Sequence, residues 1–126
     1  MITTNDTASE LVAMSAFLVN YCNAMFKERN AKITRERQID LETIHGAGMR
    51  FQKKAGDVSY ALMAVSDATS LQKLRHDLKN ELNVIIGFSR LILRETRSPL
   101  TPLQYATVGT IHQTGMDLLA LVDQLR

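Results

Sequence analysis

A chain of 126 residues has room for one domain, or for two small helical units packed together, and not for a string of domains. It is 45% hydrophobic and 22% charged with a net charge of +2, which fits a soluble fold and is too mild to point to nucleic acid. With no tryptophan and 6% aromatic residues, the core falls to Leu, Ile, Val, Met and Ala, a mixture that favours helices over a β-sandwich.

The single cysteine, Cys22, has no intrachain partner, so a reducing cytoplasm is the expected location. The longest apolar run, Leu11 to Val19, is about half a membrane span and contains Ser15. The start, Met-Ile-Thr-Thr-Asn-Asp, lacks the basic opening of a signal peptide. No membrane insertion is expected.

Four helices are predicted. The first starts near Thr7, where Thr7-Ala-Ser-Glu10 matches a capping box, and runs to about Arg29. Leu11, Met14, Leu18, Tyr21, Cys22 and Met25 share one side of it. A turn is expected at Asn30 to Ile33, with Thr34 capping the second helix. That helix carries a heptad seam through Leu41, Ile44, Gly48, Phe51, Ala55, Val58, Leu62 and Val65. The pattern loses phase at Asp67 to Ser70, which reads as a turn. The third helix spans about Ser70 to Thr96, with Leu71, Leu74, Leu78, Leu82, Ile85, Phe88 or Ser89, and Ile92 as its apolar positions. Pro99 blocks its continuation. The fourth begins at Thr101-Pro-Leu-Gln104, where cap, first-turn proline and Gln coincide, and runs on through Ile111, Leu118, Leu119, Val122 and Leu125.

A weak internal repeat runs through this pattern. Ile44-His-Gly-Ala-Gly-Met49 and Ile111-His-Gln-Thr-Gly-Met116 match at four of six positions, at an offset of 67 residues. The same offset pairs Thr34 with Thr101, Leu11 with Leu78 and Tyr21 with Phe88. One hairpin cannot bury its apolar stripe alone, and two can form a four-helix bundle. The expected fold is an all-α antiparallel four-helix bundle of two hairpins, residues 1–69 and 70–126. It forms either within one chain as a pseudo-dimer or as a homodimer through the C-terminal hairpin. In the repeat, Ser9 falls opposite His76 and Ala13 opposite Asn80.

Residues 75 to 83 read Arg-His-Asp-Leu-Lys-Asn-Glu-Leu-Asn. His76 and Asn80 are four apart and share a helix face, while Leu71, Leu74, Leu78 and Leu82 occupy another. His76 should therefore point outward with a carboxylate and an amide beside it. A helical histidine by itself is usually a surface residue, and only Asp77, Asn80 and the residues that follow raise it above that. His45 and His112 sit beside seam positions and are expected to help pack or to face solvent, and the methionines to fill the core. No metal-ligand spacing and no Ser/His/Asp arrangement is found.

Residues 71 to 125 resemble the dimerisation and histidine-phosphotransfer domain of bacterial sensor histidine kinases. His76-Asp-Leu-Lys-Asn-Glu-Leu-Asn-Val-Ile-Ile-Gly-Phe-Ser-Arg-Leu-Ile-Leu93 looks like that family's H-box helix, and Leu103 to Leu125 like its second helix. The resemblance implies that His76 is the phosphoacceptor and that Asp77 orients the imidazole. It implies that Asn80 positions water for dephosphorylation of the partner. Asn83, Val84, Gly87 and Phe88 fall where the family contacts the receiver domain of a response regulator. Lys73, Arg75 and Lys79 surround His76 and are expected to favour an incoming phosphoryl group, although such cations are as often a solvated helix face.

Two departures stand out. Glu81 occupies the place of a kink-forming proline, so this helix should be straighter. No Gly-rich nucleotide motif follows the hairpin, so autophosphorylation by this chain alone is not expected. The expected role is that of a phosphotransfer protein exchanging a phosphoryl group between His76 and a receiver aspartate, with Mg²⁺ on the receiver and no cofactor on this chain. The alternatives are a dimerisation module of a truncated kinase, a receiver phosphatase using Asn80, or a non-catalytic scaffold that binds a receiver or a kinase.

Overall fold

The computed structural model describes residues 4–27, 34–64, 68–95 and 100–125, with side chains described outside 4–6, 8, 26–27, 58–64 and 68–70. They form four helices: α1 (Thr4–Lys27), α2 (Arg35–Ala64), α3 (Ala68–Arg94) and α4 (Pro102–Asp123). Each helix packs on two neighbours. α1 lies between α2 and α4, and α3 lies between the same two from the other side. Ser89 meets His112 while Arg75 meets Leu125, so α3 and α4 run antiparallel. The result is the expected all-α bundle.

Cap chemistry explains two helix starts. Thr34 Oγ1 accepts from the Arg37 amide at 3.2 Å, and Thr101 Oγ1 from the Gln104 amide at 3.1 Å. Gln104 Oε1 returns a bond to the Thr101 amide at 3.0 Å, completing a capping box over Pro102.

Two starts differ from the sequence reading. α1 begins at Thr4, one turn before the expected cap. Thr7 lies four residues before Leu11 on the same face and is only 2% exposed, so it enters the core side of the helix instead of capping it. α3 begins at Ala68, within the expected turn. No Gly or Pro lies between Gly56 and Gly87, so nothing local prevents the earlier start. The expected turn at residues 30–33, the breaker Pro99 and the seam position Val65 lie outside the described residues, as do the side chains of Val58 and Leu62.

The core forms where the four apolar stripes meet. Leu11, Leu41, Phe51, Leu78, Ile111 and Leu118 are fully buried. Each such side chain stabilises the fold by about 1.5–3 kcal/mol relative to exposure. Cys22 is buried among them, as its place in the stripe predicts. Ser89, rather than Phe88, takes the central core position. Its hydroxyl donates to the Ile86 carbonyl at 3.1 Å and lies 2.9 Å from His112 Nδ1. His112 and His45 are both half-buried, in keeping with a structural role.

Candidate functional site

α3 places His76 on its outer face. His76 and Asn80 are exposed one turn apart, Asp77 is half-buried beside them, and Leu78 and Leu82 are fully buried on the opposite side. Periodicity alone accounts for this division: residues four apart stack on one face, and the leucine stripe claims the core. Asn83 and Gly87 continue the exposed line. His76, Asn80, Asn83 and Gly87 thus form an open strip at spacings of four, three and four. Val84 and Phe88 flank it, half-buried, with their inner surfaces against the core.

The cations near His76 are arranged differently from one another. Lys73 is exposed. Lys79 forms an ion pair with Asp123, and Arg75 Nη1 donates to the Leu125 carbonyl at 3.1 Å. Two of the three cations around the histidine therefore tie the end of α4 to the turn that carries it.

The residue after Asn80 is the largest surprise. Glu81 is 7% exposed and lies between α3 and α2. Arg50 Nε donates to both of its carboxylate oxygens at 3.1 Å, and Lys54 Nζ donates to Oε2 at 2.9 Å. Burial pushes the Glu81 carboxyl upward, but the hydrogen bonds and charges of Lys54 and Arg50 outweigh it and hold the group below the usual glutamate range. In sequence Glu81 registers only as a missing proline. A local signal for more was present: it sits three residues after Leu78 and four before Ile85, on the buried side of the stripe. Arg50 and Lys54 are themselves four apart, so they can meet one acceptor. α3 runs without a break through this position.

The comparisons with known proteins bear on this segment. Residues 68–126 match the family of the His Kinase A (phospho-acceptor) domain. The second hairpin is similar to a His Kinase A phospho-acceptor domain. That match covers just under half of the chain. A stretch of 55 residues, 44% of the chain, is 33% identical to the sensor protein GacS of Pseudomonas syringae pv. syringae, and it spans 6% of that protein's length. No solved structure matches. The similarity falls on α3 and α4, the helices that carry His76 and its neighbours.

Among the described residues, no helix is long and apolar enough to cross a membrane, and no cluster of His, Cys, Asp and Glu could hold a metal ion. A cleft of about 510 Å³ opens between the start of α2 and the end of α3, lined by Arg35, Arg37, Asp40, Leu91 and Glu95 among others. Its charges are of both signs, and Leu91 lies fifteen residues along α3 from His76. The histidine itself stands on an open helix face, not in a cavity.

Proposed function

We propose that this chain is a phosphotransfer protein of two-component signalling, carrying a phosphoryl group on His76 and exchanging it with a receiver aspartate. The observation that supports this reading most directly is the exposed His76, with Asp77 beside it and Asn80 one turn on, inside the segment that matches the phosphoacceptor domain. A neutral imidazole nitrogen attacks phosphorus, the bond to the leaving carboxylate oxygen breaks, and the reverse reaction returns the group to the receiver. Such transfers depend mainly on positioning and on neutralising charge. A rigid helix supplies the first. Lys73, together with Mg²⁺ bound by the receiver, would supply the second. Asn83, Val84, Gly87 and Phe88 form the docking strip for the receiver. Location in the cytoplasm and a role in a phosphorelay belong to the same reading.

The test is to incubate the chain with a phosphorylated receiver, or with a cognate kinase, and follow acid-labile label. Wild type should acquire it and His76→Gln should not. Equal labelling of the two defeats the proposal and leaves a non-catalytic scaffold. The exposure of Asn80 beside the histidine favours a second reading, a receiver phosphatase. Asn80→Ala should then slow receiver dephosphorylation while His76 still labels, and an unchanged rate removes that reading.

A further inference from the structure

We infer that α1 and α2 take the place of a second α3–α4 hairpin, so that the chain closes its own bundle as a monomer with a single histidine face, and that Glu81 selects this pairing. The 67-residue offset seen in sequence recurs in three dimensions. α2 starts at Arg35 and α4 at Pro102, while α1 ends at Lys27 and α3 at Arg94. The capping threonines, Thr34 and Thr101, stand at the same offset. Leu18, Val19 and Cys22 are buried in α1, and Ile85, Ile86 and Ser89 are buried 67 residues later.

Close approach repeats as well. A β-carbon at Gly48 would lie 2.9 Å from Leu18 and 3.5 Å from Val19. A β-carbon at Gly115 would lie 3.4 Å from Ile85 and 3.1 Å from Ile86. All three members of each set are related by the offset, so both hairpins cross at the same point and for the same reason: a glycine lets the helices touch.

The two hairpins are not interchangeable where they meet. Glu81 of α3 faces Arg50 and Lys54 of α2. At the same offset, the positions of Arg50 and Lys54 fall on Asp117 and Leu121 of α4. A bundle of two α3–α4 hairpins would therefore bring each buried Glu81 against an aspartate and a leucine. A buried carboxylate without a cation is strongly unfavourable. Pairing with α1–α2 removes that penalty. The same offset places exposed Ser9, Glu10 and Ala13 at the positions of His76, Asp77 and Asn80, so the second face keeps an acid and lacks the imidazole and the amide.

Sedimentation of the full chain and its denaturation over roughly a hundredfold range of concentration test this. The expected result is one species of 14.1 kDa with an unfolding midpoint independent of concentration. A species of twice that mass, or a midpoint that rises with concentration, overturns the inference. The selecting role of Glu81 is read from charge reversal. Arg50→Glu with Lys54→Glu should lower the midpoint, and adding Glu81→Lys should restore most of the loss. Absence of rescue removes Glu81 from the account. None of these readouts involves phosphoryl transfer, so they succeed or fail separately from the role proposed for His76.

Discussion

Glu81 Oε2 accepts a hydrogen bond from Lys54 Nζ at 2.9 Å, and this contact joins the helix carrying His76 to the other hairpin. The carboxylate is buried while its two cations are partly in solvent, with side-chain exposures of 35% for Lys54 and 56% for Arg50. Loss of the carboxylate therefore leaves cations that water can still solvate. The expected cost of Glu81→Gln is about 1–2 kcal/mol, near the lower range for hydrogen bonds to charged groups. Urea denaturation at neutral pH measures it.

The same contact sets a pH dependence. Glu81 is held below an ordinary glutamate's value of 4.5 in the folded protein. A lowered folded value means that its contribution is fully present above the unfolded value. The contribution is lost as pH falls from about 4.5 through the folded value. The stability gap between wild type and Glu81→Gln should accordingly be constant near neutrality and shrink as acid is added. A gap that stays constant down to pH 3 contradicts this.

Gly56 and Gly48 lie in the same helix but should respond oppositely to alanine. Nothing lies within 4 Å of a β-carbon built at Gly56, so Gly56→Ala should stabilise by about 0.5–1 kcal/mol through backbone entropy alone. At Gly48 the added carbon meets Leu18 at 2.9 Å. Overpacking there, typically about 1–3 kcal/mol, outweighs the helix gain, and Gly48→Ala should lower the melting temperature.

A substitution at Gly87 tests the stability of α3 separately from the receiver docking proposed above. The glycine's β-carbon position is also open, so Gly87→Ala should stabilise the helix by roughly the amount seen at Gly56. It lies on the exposed strip with His76 and Asn83, where a new methyl group would stand between α3 and a docked receiver. Slower phosphoryl exchange with the receiver, alongside a higher melting temperature, is the expected pair of results. Unchanged exchange would take Gly87 out of the docking strip.

Cys22 provides a probe of folding. Burial pushes its thiol up to about 12, so it is neither exposed nor ionised at neutral pH. Iodoacetamide should modify it only after denaturation. Rapid alkylation of the native protein would show that α1 opens from the bundle.

The parts of this protein legible in the sequence are those governed by neighbours along the chain. Thr101, Pro102 and Gln104 act within one turn, so the start of α4 could be read from four residues. The facing of His76 away from Leu78 and Leu82 follows from helical periodicity. Thr7 was legible in type but not in role, because the choice between cap and core depends on whether another helix covers it.

The sequence by itself determined the four amphipathic stripes, two of the helix caps and the outward histidine, because propensity, capping and period are local properties. Only the tertiary structure decided what Glu81 does. Its partners Arg50 and Lys54 lie 31 and 27 residues away, and the carboxylate is held low only when α2 covers it. The clasp of Arg75 and Lys79 on the end of α4 is likewise a product of the fold, spanning 50 residues in the case of Arg75. Charges separated by such distances have no fixed relation in an unfolded chain, and the assembled helices give them one.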